Sequence, residues 1–141
     1  MTRIHHAGVV VSDLEKAIAF YRDVVGLSLA DRRERNGGPI CQVVGYPETH
    51  ILIADMAGED GGILELIQYV TPTPQPRNNE GRAVVTASHV CFQVADVEEA
   101  YRKVLEHGGK AINPPVSVVP GRKGCYMQDP DGNWIELVQA L

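Results

Sequence analysis

Ile4-His5-His6-Ala7-Gly8-Val9-Val10-Val11-Ser12-Asp13-Leu14 is answered later in the chain by Ala87-Ser88-His89-Val90-Cys91-Phe92-Gln93-Val94-Ala95-Asp96-Val97. Aligning His6 with His89 sets an offset of 83 positions, which also carries Val11 onto Val94, Asp13 onto Asp96, Ala17 onto Ala100 and Gly26 onto Gly109. A register held without a gap over roughly 20 positions marks an internal repeat, and a repeat decides the architecture before any single element does. The chain is therefore read as two copies of one unit.

Composition narrows what those copies do. The 141 residues are 44% hydrophobic, enough for one domain with a real core. A formal charge of −5 leaves no basic field, so neither nucleic acid nor a membrane surface is an expected partner. No run approaches the roughly 20 apolar residues of a membrane span, and the N-terminal apolar triplet is shorter than a signal-peptide core; a soluble, cytoplasmic protein is expected. Cys41, Cys91 and Cys125 stand far apart without the paired spacing of a zinc or redox motif, and are read as reduced thiols.

Outward from the opening stretch, residues 3–11 form a β-branched strand that contains His6. Ser12 with Glu15 has capping-box spacing, which predicts a helix with a stripe of Leu14, Ala17, Ile18, Tyr21 and Val25, stopped at Gly26. Strands are expected over 27–35, 40–44, 50–54 and 63–69, with an exposed acidic turn at Gly58-Glu59-Asp60-Gly61-Gly62. The proline-rich segment 71–86 is a linker between module 1 (3–70) and module 2 (87–141), all within one domain of 1–141. Module 2 repeats the order: a strand over 88–94, a helix capped by Asp96 with stripe Val97, Ala100, Tyr101, Val104 and Leu105, then strands over 110–113, 116–119, 125–128 and 134–138. Asp129-Pro130-Asp131-Gly132-Asn133 turns the chain between the last two.

Each module ends on a glutamate inside an apolar strand, Ile63-Leu64-Glu65-Leu66 and Trp134-Ile135-Glu136-Leu137. From His6 to Glu65 is 59 positions and from His89 to Glu136 is 47, so module 1 holds 12 extra residues, placed here in the 50–62 region. A carboxylate in a buried strand is costly unless paired or bound to a cation. Two in matching places, each with its histidine, suggest a divalent metal on the repeat axis; imidazole and carboxylate suit zinc, nickel, cobalt, manganese or ferrous iron. Read one at a time, the same residues are structural histidines and glutamates facing water on a strand edge.

The His-x-Gly start, the Ser12-Asp13-Leu14-Glu15-Lys16-Ala17-Ile18-Ala19-Phe20-Tyr21 helix entry, the Asp129–Asn133 turn and the Ile135-Glu136-Leu137 strand resemble the vicinal oxygen chelate superfamily, which contains glyoxalase I, extradiol dioxygenases and bleomycin-binding proteins. The resemblance spans nearly the whole chain. It implies an α+β fold of two tandem βαβββ modules forming a curled mixed sheet around a metal-binding cleft, with His6, Glu65, His89 and Glu136 as ligands of one divalent ion, as in the glyoxalase I branch. That branch implies an isomerase, epimerase or lyase that transfers a proton beside a carbonyl through an enediolate, with Glu136 the first choice of base and Glu65 the second.

Epimerases of the superfamily carry a second carboxylate on the strand before the first-module glutamate. The nearest position here is Gln42, which puts two-base epimerisation in doubt. Gln42, His50, Tyr69, Arg122 and Tyr126 are candidate substrate contacts, Arg122 in a glycine-flanked loop suited to a carboxylate or phosphate. His5 points away from His6, His107 suits a helix C-terminus, and Trp134 shares the face of Glu136. Two other classes stay open: an Fe(II) dioxygenase using His6, His89 and Glu136, and a metal-free protein that sequesters a small molecule or drug. A homodimer is expected, because half-barrels leave sheet edges to cover.

Overall fold

A computed structural model describes residues 1–77 and 81–140. The backbone divides into two compact units, Met1–Arg77 and Asn78–Leu141. Both are mixed α+β, built on sheets that combine one parallel strand pair with antiparallel ones.

In unit 1, β1 (Ala7–Val10) leads into α1 (Leu14–Phe20), which continues through a wider π-helical turn at Tyr21–Val25 to Gly26 in the left-handed conformation, φ 95°. Then come β2 (Ser28–Asn36), α2 (Pro39–Val44), β3 (His50–Ala57) and β4 (Ile63–Thr71), in sheet order β1-β4-β3-β2. In unit 2, β5 (Val90–Gln93), α3 (Val97–Glu106), β6 (Lys110–Ala111), β7 (Val116–Val119), β8 (Arg122–Gln128) and β9 (Trp134–Ala140) form the order β5-β9-β8-β6, with β7 also paired to β8. The strand that runs unbroken as β2 in unit 1 is split into β6 and β7 around Pro114-Pro115, which cannot donate to a ladder.

One helix covers one face of each sheet. Leu14, Ala17, Ile18, Phe20 and Tyr21 bury against Ala54, Met56, Leu64 and Leu66, and Val97, Ala100 and Val104 against Cys125, Met127, Ile135 and Leu137. Leu105, assigned to the α3 stripe, is 41% exposed, because it lies beyond the edge of the buried arc.

The two sheet-packing helices, α1 and α3, are each capped twice by the same device. Asp13 accepts from Lys16 N, and Asp96 accepts from Glu98 N and Glu99 N. The cap of α1 is thus Asp13, one residue past the expected Ser12 and in step with Asp96. The N–H of Leu14 then donates to Gln68 Oε1 at 2.7 Å, and that of Val97 to Gln139 Oε1 at 3.0 Å. A glutamine from the last strand of each unit thereby ties the first turn of the helix to the sheet.

The structure corrects three further expectations. Residues 40–44 are helical, because Gly38-Pro39 starts a helix at its favoured first position and Gly45, φ 81°, ends it. Gly8 and Cys91 keep the offset of 83, whereas Asp55 matches Tyr126 and Glu65 matches Glu136 at 71; the extra residues of module 1 therefore precede β3, in α2 and its flanks, and not the 50–62 region. His6 and His89 sit just before β1 and β5 and not inside them. Within the linker, Asn78, Asn79 and Glu80 lie outside the described residues; the rest of 72–77 and 81–89 holds no helix or strand.

Candidate functional site

In unit 1 the strand register lines up Gly8 on β1, Glu65 on β4, Asp55 on β3 and Asp31 on β2 as direct neighbours. Gln68 reaches α1, so even positions of β4 face the helix and Glu65 points to the other face. Three carboxylates in one row repel unless a cation joins them. Arg33 does so: Nη1 lies 2.6 Å from Asp55 Oδ2 and 2.7 Å from Asp31 Oδ2, and Nη2 lies 3.0 Å from Asp55 Oδ1 and 2.9 Å from Glu65 Oε2. Hydrogen bonds to Asp55 and then Asp31 drive the guanidinium pKa still higher than usual. The other oxygen of Glu65, Oε1, faces His6 Nε2 at 3.6 Å.

His5 is not turned away from His6. The rings meet edge to face, with the two Nδ1 atoms 2.8 Å apart, because the strand alternation begins only at Ala7. When His6 Nδ1 carries the proton and donates it to His5, Nε2 presents its lone pair toward Glu65, the tautomer a metal ligand needs.

Unit 2 repeats the row with different neighbours: Cys91 on β5, Glu136 on β9 and Tyr126 on β8. His89 Nε2 lies 3.2 Å from Glu136 Oε2 and 3.2 Å from the Tyr126 hydroxyl, with its ring edge-on to the phenol. Burial, and then the charge of Glu136, raise the Tyr126 pKa, keeping it a neutral hydroxyl. Desolvation by its neighbours pushes the thiol of Cys91, an otherwise exposed residue, up to about 11, with Glu136 adding to the rise and Arg122 opposing it. Gly124, Tyr126, Glu136 and Val138 line a cavity of about 220 Å³ together with Val116, Val118, Arg82 and Arg122. Arg82, in the linker and unnoticed in the sequence, lays its guanidinium over the rings of Tyr126 at 4.3 Å and Trp134 at 5.2 Å.

The donor atoms fit a divalent ion in chemistry and in spacing. Two ligands about 2.0–2.2 Å from one ion and at right angles stand roughly 3 Å apart, close to both His–Glu separations. Each unit supplies one such pair; among the described residues no three histidine, cysteine or acidic side chains form a metal cluster.

The remaining candidates separate. Tyr69 shares the face of Glu65 and meets Tyr46 edge to face at 6.1 Å. Arg122 is not in a loop but opens β8, and it lines the cavity. His50 and Glu34 fall on the even-numbered face, away from Glu65, and close a 2.6 Å contact there. Gln42 is exposed on α2, not in a strand. The strand carboxylate sought at Gln42 is Asp55, directly opposite Glu65 on β3, already held in both oxygens by Arg33. Arg33 lies in the strand expected over 27–35 and Asp55 one residue past the strand expected over 50–54; neither stands out in the sequence as a site residue.

The Glyoxalase/Bleomycin resistance protein/Dioxygenase superfamily matches residues 3–137. The chain belongs to that superfamily. Similar to this superfamily member are the uncharacterized protein YwbC of Bacillus subtilis, 32% identical over 97% of each chain, and a lactoylglutathione lyase of Neisseria meningitidis, 26% identical over 97% of this chain and 90% of its own. A glyoxalase family protein from Bacillus cereus superposes with a TM-score of 0.88 at 28% identity, over 100% of this chain and 95% of its own. The trypanothione-dependent glyoxalase I of Leishmania major, at TM-score 0.70 and 20% identity over 99% and 87%, shares the fold. No described helix is long and apolar enough to cross a membrane.

Proposed function

We propose that this protein is a divalent-metal-dependent enzyme of the glyoxalase I type, an isomerase, epimerase or lyase that moves a proton beside a carbonyl of a small substrate. The observation that carries this reading is the recurrence of one His–Glu pair at equivalent places of both units, at 3.6 Å for His6 and Glu65 and 3.2 Å for His89 and Glu136. Those residues would hold one ion of zinc, nickel, cobalt or manganese, completed within a chain or across a homodimer. When bound, such an ion supplies Lewis-acid polarisation of a carbonyl oxygen. The lactoylglutathione lyases among the relatives support the class without fixing the substrate.

The two glutamates divide the work. Glu65 has one oxygen tied to Arg33, which suits a fixed ligand. Glu136 borders the cavity, is held by no arginine among the described residues and has His89 as its ion-pair partner, so it is the group that takes a proton from substrate carbon and returns it. The neutral Tyr126 hydroxyl, beside His89, donates to an oxygen that gains charge. Asp55 sits where a second base would stand, but Arg33 occupies both of its oxygens, which favours a one-base path.

A second reading would draw Glu65 fully onto Arg33, which already holds its Oε2. With Glu65 withdrawn, His6, His89 and Glu136 form the two-histidine, one-carboxylate set of an Fe(II) dioxygenase. Solvent-deuterium exchange into hydroxy-carbonyl and acyl-thioester compounds separates the two. The proposal expects metal-dependent exchange that falls about 10²–10⁴-fold in E136Q; oxygen uptake with a catechol, retained in E65Q, would select the dioxygenase instead.

A further inference from the structure

We propose that the unit 2 cavity is a monocarboxylate subsite, with Arg82 as its principal cation and a small organic acid as its ligand. Arg82 reaches this place from a segment without helix or strand, and among the described residues no carboxylate pairs with it. Its guanidinium carbon lies 4.3 Å from the centre of the Tyr126 ring and 5.2 Å from that of Trp134, cation–π contacts that place the fork at the cavity and leave N–H groups to donate. A guanidinium fork matches a carboxylate in shape, through two parallel charge-assisted hydrogen bonds. Arg122 adds a second positive charge on the same cavity.

The opposite requirement comes from Glu136, which lines the cavity too. Its negative charge disfavours a dianion such as phosphate more than a monoanion. The volume of about 220 Å³ is smaller than the roughly 300–1,000 Å³ of sites for drug-sized ligands. Val116, Val118 and Val138 supply apolar wall, so the ligand has a short hydrocarbon body. As the substrate end of the site, with the acid at Arg82 and a neighbouring carbonyl toward Glu136, the subsite rests on the reading above. Its binding step can be measured without any metal.

Trp134 is the single tryptophan of the chain and lies under Arg82, so its fluorescence reports on the subsite. Metal-stripped and metal-loaded protein are titrated with 2-oxobutanoate, its methyl ester, glutathione and inorganic phosphate, and each affinity is repeated by calorimetry. The proposal expects saturable binding of the acid by the stripped protein, about ten- to a hundredfold weaker in R82Q and intermediate in R82K. Near-ultraviolet circular dichroism identical to the parent protein shows that R82Q remains folded. Equal affinity for acid and ester, unchanged affinity in R82Q, tighter binding of phosphate or glutathione, or binding of the acid only when metal is present would each overturn the subsite. A protein that takes up no metal yet binds the acid through Arg82 would overturn the catalytic reading and leave the subsite standing.

Discussion

Arg33 and Glu65 share a 2.9 Å ion pair, while Glu136, at the equivalent place of unit 2, has His89 as its only ion-pair partner among the described residues. The repeat therefore presents two glutamates in matching backbone positions and unlike electrostatic surroundings. In unit 1 the row reads Gly8, Glu65, Asp55, Asp31; in unit 2 it reads Cys91, Glu136, Tyr126. Replacing Asp55 by Tyr126 removes the carboxylate that holds the arginine, and Glu136 is left facing a cavity.

Removing that arginine exposes the repulsion it now offsets. R33Q is expected to lose about 1.5–3 kcal/mol of stability, the range for hydrogen bonds to charged groups, by urea unfolding. Raised salt should recover part of the loss by screening Asp31, Asp55 and Glu65 from one another. R33K should fall between, since an ammonium cannot span the row as the fork does. A variant as stable as the parent at low salt would remove the cluster's structural role.

The glutamine ties at the helix starts are independent of any metal. Q68A strands the Leu14 N–H and Q139A the Val97 N–H. Each should cost about 0.5–2 kcal/mol, as lost caps do, read as a fall in thermal midpoint without loss of the sheet signal in circular dichroism.

Gly124 is where the cavity meets the ladder. A Cβ there would stand 2.7 Å from the Leu137 carbonyl oxygen and 3.2 Å from Val138 Cγ1. Backbone cannot retreat as a side-chain tip can, so G124A should cost about 1–3 kcal/mol, the range for overpacking. At Gly8 the nearest atoms, including Glu65 Oε1, are 3.8 Å away, so G8A should be tolerated. Unfolding midpoints of the two variants test the contrast.

The thiols give a pH dependence with a definite sign. Burial pushes Cys125 up to about 11, from 9.0, and desolvation and the charge of Glu136 raise the surface-exposed Cys91 to about 11 as well. Above the lower value the unfolded chain releases thiol protons that the folded chain keeps, so stability falls as pH rises from about 9 through about 11. Below that window the contribution is fully present. Midpoints measured across it should decline, and the decline should shrink in C91A/C125A.

Much of the fold was legible because the repeat constrains it: Asp96 restates Asp13, and both modules end on Leu-Glu-Leu or Ile-Glu-Leu, although the left-handed stop that Gly26 gives α1 is supplied after α3 by Gly108 and not by the aligned Gly109. Residues 40–44 were misread because Ile40, Val43 and Val44 favour strands, whereas Pro39 and Gly45 settle the matter through backbone geometry at the ends. His50 looked like a site residue by type, yet strand parity turns it to the other face. Arg33, Asp55 and Arg82 were missed for a shared reason. Each acts through a partner distant in sequence, and only strand register or a crossing linker brings the pair together.

The central claim, that His6, Glu65, His89 and Glu136 serve one ion, is tested most directly by metal content. Protein made without a histidine tag, with E65Q and E136Q beside it, is assayed by mass spectrometry after incubation with zinc, nickel, cobalt, manganese and ferrous iron in turn. The account predicts about one divalent ion per chain, the stoichiometry of a single shared four-ligand site, with retention lowered in both variants. A protein that retains none of these ions would contradict it.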